Sequence, residues 1–209
     1  MLRNPILQYA GVPVSMADIK SCFQELASPE KKVQALEKSG ELIRLKRNLY
    51  IVSKELSGKE VDARLCANHI YGPSYVSLQW ALHYYGMIPE MVYTMTSITT
   101  KRSRSFETPI GKFRYMQVAP LYFPIGVECV DNGCVCVLLA SPEKALCDTI
   151  LYDNYVPCQS VKSLATYLEE DIRIDMDLLQ ELDTDIIAAC AAVGSKTQTL
   201  NNLIKIIKR

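Results

Sequence analysis

Apolar side chains recur at helical spacing over residues 16–26, where Met16, Ile19, Cys22, Phe23 and Leu26 fall on one stripe and predict a helix. Ser28-Pro29-Glu30 then reads as a cap followed by proline at the first helical position. The helix it opens buries Val33 and Leu36 and stops at Ser39-Gly40. Residues 41–46 and 49–52 are strand-like runs joined by Arg47-Asn48, a two-residue hairpin turn with Asn where left-handed backbone is wanted. A short leading segment, residues 4–11, is a candidate first helix. The order helix, turn, helix, hairpin is that of a winged helix-turn-helix. Lys54 to Glu60 is polar and reads as a linker, so the pattern divides the chain into residues 1–55 and 60–209.

In the second part, residues 60–71 and 77–86 predict helices interrupted at Gly72-Pro73. A sheet is expected over about 91–140. Val92–Thr100 is β-branched, Lys112–Val118 alternates, and Val127–Val130 pairs with Cys134–Leu139 across Asp131-Asn132-Gly133-Cys134. Ser141-Pro142-Glu143 opens a helix through about Tyr152, and Ser160 to Arg209 reads as three helices with a break near Gly194. The expected class is α+β: an N-terminal winged helix-turn-helix, then a larger mixed domain with a central antiparallel-rich sheet and C-terminal helices.

Composition is that of an ordinary globular protein, and Lys plus Arg equals Asp plus Glu at 23 each. The balance hides an asymmetry. Residues 1–55 carry +3, residues 101–118 carry +4 and residues 141–193 carry −8, which permits nucleic-acid contact by one part of the chain alone. No apolar leader opens the sequence. The longest uncharged run, Leu65 to Pro89, holds too many polar residues and breakers for a membrane helix, so a cytoplasmic protein without membrane contact is expected. The eight cysteines are scattered and read as reduced thiols. Cys129, Cys134 and Cys136 cluster, with Cys129 expected opposite Cys136, but they lack a fourth ligand for zinc.

No assembled active site is legible, and no cofactor or metal is expected. The two histidines, His69 and His83, lie on predicted helices beside aromatic residues. There is no Gly-x-Ser-x-Gly elbow, phosphate-binding glycine loop or His-Glu-x-x-His. DNA readout has better material. The second helix of the pair offers Ser28, Lys31, Lys32, Gln34 and Lys38, where Gln suits adenine and Lys suits guanine acceptors. The hairpin offers Arg44, Lys46, Arg47 and Asn48 to phosphates or the minor groove, while Glu30 and Glu37 would repel phosphate. Lys101, Arg102 and Arg104 in an expected loop, with Lys112 and Arg114 after them, form a second candidate contact for nucleic acid or a protein partner.

Several of these segments resemble one family. Gly11-Val12-Pro13-Val14, then Ser39-Gly40, Leu42-Ile43-Arg44-Leu45 and Arg47-Asn48-Leu49-Tyr50, are similar to the N-terminal winged helix of AbiEi-like antitoxins of bacterial type IV toxin–antitoxin (abortive infection) systems. Tyr71-Gly72-Pro73-Ser74-Tyr75-Val76-Ser77, Ala81-Leu82, Tyr85-Gly86, Thr99 to Arg104 and Gly111 to Tyr115 resemble the body of that family. Ala140-Ser141-Pro142-Glu143-Lys144-Ala145-Leu146-Cys147-Asp148 resembles its most recognisable element. The resemblance implies a repressor that binds operator DNA and counteracts a nucleotidyltransferase toxin; with no catalytic motif it is expected not to be an enzyme, and operator repeats would favour two copies on DNA. A winged-helix interaction or transcriptional regulatory module without antitoxin activity is the alternative. Glu143, Lys144 and Asp148 are also explained by helix capping and the helix dipole alone.

Overall fold

Serine and aspartate caps punctuate the chain. Ser15, Ser53, Asp62, Ser141, Ser160, Asp175 and Asp183 each accept a hydrogen bond from the first turn of the helix that follows. The computed structural model describes residues 4–131, 135–157 and 160–208, and no helix among them is long and apolar enough to cross a membrane. After a 3₁₀ turn at Pro5–Tyr9 come β1 (Val14–Ser15), α1 (Met16–Ser21), α2 (Pro29–Lys38), β2 (Leu42–Lys46), β3 (Leu49–Val52) and α3 (Lys54–Ser57). Next are α4 (Ala63–Ile70), β4 (Ser74–Val76), α5 (Leu78–Tyr84), β5 (Met95–Thr99), β6 (Arg104–Thr108), β7 (Gly111–Gln117), β8 (Val127–Asp131) and β9 (Cys136–Ala140). The chain closes with α6 (Pro142–Tyr152), α7 (Val161–Thr166), α8 (Met176–Gln180), α9 (Thr184–Val193) and α10 (Thr197–Ile207).

β1, β3 and β2 form an antiparallel sheet in that order, with Val14 opposite Tyr50 and Ile43 opposite Ile51. All four residues of β3 are buried because the strand separates two apolar clusters. Tyr50 and Val52 join Ile6, Val14, Ile19, Val33, Leu36 and Leu42 on one side. Leu49 and Ile51, with Leu45 from β2, enter the larger core that holds Ile70, Tyr75, Ile98 and Leu146. The period-2 alternation of a strand makes one hairpin serve both clusters.

The second sheet has six strands in the order β6-β7-β5-β4-β9-β8, and the molecule is α+β. Three pairings are antiparallel, while β5–β7 and β4–β9 are parallel, so the sheet is mixed with antiparallel pairing in the majority. It also begins earlier than expected, because β4 occupies residues 74–76 between two helices. One face carries α4, where the Tyr115 hydroxyl donates to the Ala67 carbonyl at 2.7 Å. The other carries α5 and α6, tied where Ser77 Oγ donates to Asp148 at 2.6 Å.

Other expectations shift for local reasons. α1 ends at Ser21, not 26: Cys22, Phe23 and Leu26 turn back with i−3 bonds, and Leu26 is 46% exposed. The Lys54–Glu60 stretch contains α3 and a Lys54–Glu60 ion pair at 2.7 Å. Among the described residues four α-helices and a π-helical turn at Tyr167–Asp171, not three helices, follow Ser160. Arg104 starts a strand instead of lying in a loop. Cys129 faces Leu138 and lies diagonal to Cys136, which is opposite Asp131. The Cα atoms of the two cysteines are 5.5 Å apart, within the span of a disulfide, so β8 and β9 bring the two sulfurs together. Cys22, Cys66, Cys147 and Cys190 are free. The expected turn at Asn132-Gly133-Cys134 lies outside the described residues.

Candidate nucleic-acid interface

Val33 and Leu36 lock α2 onto the smaller cluster, at 0% and 2% exposure, and the 3.6-residue period turns the rest of the helix outward. Lys31, Lys32, Gln34 and Lys38 are all exposed on that outer surface. Lys32 Nζ lies 5.9 Å from the Phe23 ring centroid, which leaves the ammonium on the surface. Ser28 occupies the cap position, yet its hydroxyl makes no capping bond.

The two glutamates of α2 are both opposed by cations. Glu30 pairs with Lys20, whose hydrogen bond holds the carboxyl below its usual range. Glu37 Oε1 lies 3.8 Å from Arg44. The repulsion expected between these carboxylates and phosphate is therefore blunted locally, at the expense of Arg44, whose Nε also donates to the Lys46 carbonyl. Arg47 and Asn48 stand exposed at the hairpin tip. Asn48 takes φ 64°, and its carbonyl accepts from the Met16 N–H at the start of α1.

Lys46 departs from its expected place. It is turned into the second part of the molecule, where Nζ donates to the Ile70 carbonyl at 2.5 Å. Burial, then the charges of Lys101 and Arg104, hold its ammonium below the usual lysine value. Three cations distant in sequence are thus gathered at one seam. Partial burial, with Lys46 beside it, also lowers the His69 imidazole, which is neutral at pH 7.

Lys101 and Arg104 rest on aromatic rings that sequence reasoning did not single out. Lys101 Nζ is 5.4 Å from the Tyr71 centroid and 2.5 Å from the Gly72 carbonyl oxygen, and Arg104 is 5.0 Å from Phe106. Tyr71, Phe106 and Tyr115 form a ring cluster with centroids 5.3–5.7 Å apart. The alternation Arg104-Ser105-Phe106-Glu107-Thr108 was the available signal for this strand.

The basic segment 101–114 is not one patch. Arg104 is opposite Tyr115 and shares its face, whereas Arg114 is opposite Ser105 and Lys112 opposite Glu107, on the other face. Lys112 is paired with Glu107 at 3.2 Å. Arg102 is exposed beside Lys101.

Comparison with protein-family models and with curated proteins found no match.

The segment that carried the strongest resemblance is largely internal. Lys144 and Asp148 have 0% side-chain exposure and form an ion pair at 3.3 Å one helical turn apart. Lys144 Nζ also donates to the Tyr122 carbonyl at 3.1 Å. Burial pushes the Asp148 carboxyl up, opposed by the Lys144 ammonium and the Ser77 hydroxyl. Glu143 Oε1 accepts from the Asp183 N–H at 3.1 Å, joining α6 to the cap of α9. Dipole compensation at the start of α6 is therefore the smaller part of what these residues do. Among the described residues no group of three His, Cys, Asp or Glu side chains is arranged to hold a metal ion.

Proposed function

We propose that this chain is a cytoplasmic, DNA-binding antitoxin of AbiEi type. It represses its own operon through a winged helix in residues 1–55 and counteracts a nucleotidyltransferase toxin, acting as a binder and not as an enzyme. The observation that carries the reading is the outer face of α2. Lys31, Lys32, Gln34 and Lys38 are exposed together on a helix whose apolar side is buried and whose acidic residues are opposed by cations. In the proposed complex Lys31 and Gln34 meet base edges, Arg47 and Asn48 at the hairpin tip meet the backbone, and Lys101, Arg102 and Arg104 extend the phosphate contact. The antitoxin half rests on the resemblance of Ala140 to Asp148 and its neighbours.

An electrophoretic shift with DNA from upstream of its own gene tests the repressor half. Binding is expected at low salt and is expected to weaken steeply as salt rises. Lys31→Ala and Gln34→Ala should each cost about 1–3 kcal/mol against the cognate site. Arg47→Ala should weaken all sequences alike and shallow the salt dependence by about one ion. No shift at low salt overturns it. Co-expression with the toxin tests the other half, and undiminished toxicity overturns it. The commitment of Lys46 to Ile70 and of Arg44 to Glu37 favours the second reading, a regulatory module that acts mainly through protein contacts. Undiminished toxicity together with absence of DNA binding would select that module.

A further inference from the structure

On the face of the large sheet opposite Lys101 and Arg104, the β5–β7 pair is left partly uncovered between the start of α5 and the end of α6. Two adjoining cavities of about 300 and 560 Å³ open there, and both are lined by Gln79, Thr96 and Arg114. The smaller runs on to Asn154 and Tyr155, and its volume is at the lower edge of the ~300–1,000 Å³ typical of small-molecule sites.

Part of the hydrogen-bonding capacity of this cleft is unspent. Arg114 lies between Thr96 and Ser105 in the strand register, is exposed, and has no ion pair or hydrogen bond among the described residues. Its strand neighbour Lys112 is already neutralised by Glu107. The amides of Gln79 and Asn154 likewise have no described partner. Asp153, the carboxylate lining the smaller cavity, has both oxygens occupied, by the Tyr155 N–H and the Tyr167 hydroxyl. Glu90, in the larger cavity, is paired with Arg173 at 2.8 Å, which leaves Asp171 as the other uncommitted charge there. Tyr155, 89% exposed, presents an unstacked ring at the rim.

We propose that this cleft binds a nucleoside phosphate. A guanidinium fork that is engaged in no ion pair suits a phosphate. Amides that both donate and accept suit the edge of a base, and an open tyrosine ring suits its flat face. Inorganic phosphate or a simple carboxylate would satisfy Arg114 but leave both amides and the ring unused. The site lies across the sheet from the proposed DNA contacts and does not depend on them.

Isothermal titration of the full chain with AMP, GMP, CMP and UMP tests it. At least one nucleotide should bind saturably at one per chain, with its nucleoside and inorganic phosphate each weaker by about tenfold or more. Arg114→Gln should lose about tenfold, and Arg114→Lys should recover part of that loss. Tyr155→Ala should weaken the nucleotide while leaving inorganic phosphate unchanged. Both side chains are exposed, and an unchanged melting temperature shows that the variants fold. A 5′-phosphorylated single-stranded tetranucleotide that binds more tightly than the mononucleotide would identify the source as a polynucleotide end; weaker binding would identify it as a free nucleotide. Absence of saturable binding up to about 10 mM, or full affinity in Arg114→Gln, overturns the proposal.

Discussion

At the scale of single residues, the Lys144–Asp148 pair concentrates the risk in the fold. Two charges buried at 0% exposure are tolerable because they face each other at 3.3 Å, Lys144 also donating to the Tyr122 carbonyl and Asp148 Oδ2 accepting from Ser77, while Asp148 Oδ1 has the ion pair alone. Removing one partner strands the other. Lys144→Met or Asp148→Leu should each cost about 3–5 kcal/mol, and the double variant should cost less than the sum of the two. Urea unfolding of the four proteins measures the coupling, and additive costs would contradict it. Titration gives a second expectation at this scale. Burial pushes the Cys66 thiol up to about 12 and the Tyr152 hydroxyl to about 12. Both groups are then protonated in the folded chain at pH values where the unfolded chain has begun to release their protons. Their stabilisation is complete below roughly pH 9 and lost as pH rises toward 12. The melting temperature should hold from pH 7 to 9 and fall beyond; a flat profile to pH 11 would contradict this.

At the scale of elements, α6 shows how a helix start is fixed by its surroundings. Ser141 caps it, and the Ser141 N–H donates to the Gly126 carbonyl at 2.8 Å. Gly126 adopts φ +59°, and a Cβ there would lie 2.9 Å from both Ile186 Cγ2 and Lys144 Cβ. Gly40, at φ +79°, has nothing within 4 Å of such a Cβ. Alanine at 40 should cost about 1 kcal/mol for backbone strain alone. At 126 the overlap should add a further ~1–3 kcal/mol, and equal losses on chemical denaturation would contradict the packing. The same contrast marks what was legible in the sequence. Caps, glycine stops and the Arg47-Asn48 turn are written in consecutive residues, so α2, the hairpin and α6 were placed within a residue or two. β4 was not, since Ser74–Val76 is too short to show a period and exists only through its pairing with β5 and β9. The exposed face of α2 could be read from spacing. The turning of Lys46 toward Ile70, and the separation of Arg104 from Arg114, follow from a bulge after Arg44 and from strand register, which no local pattern carries.

For the whole molecule, the hairpin decides how independent the two ends of the chain are. Leu45, Leu49 and Ile51 belong to the large core, while Leu42, Tyr50 and Val52 from the same two strands belong to the small one. A fragment ending at residue 55 would expose the first three, at about 1.5–3 kcal/mol apiece. The small cluster holds eight buried residues in all, so a loss of that size is comparable to the ~5–15 kcal/mol that stabilises an entire small domain. Residues 1–55 alone should therefore be unfolded or aggregated at 25 °C, and the intact chain should unfold in one transition rather than two. Circular dichroism of the fragment and calorimetry of the chain check both statements. A folded fragment, or two separate heat-absorption peaks, would mean that the hairpin's outer face is dispensable. If the transition is single, a change in the large core at Ile51 must alter the stability of α2. Ile51→Ala, far from the outer face of that helix, should then lower the free energy of amide exchange at Val33 and Leu36 by the same amount as the global loss, about 2–5 kcal/mol.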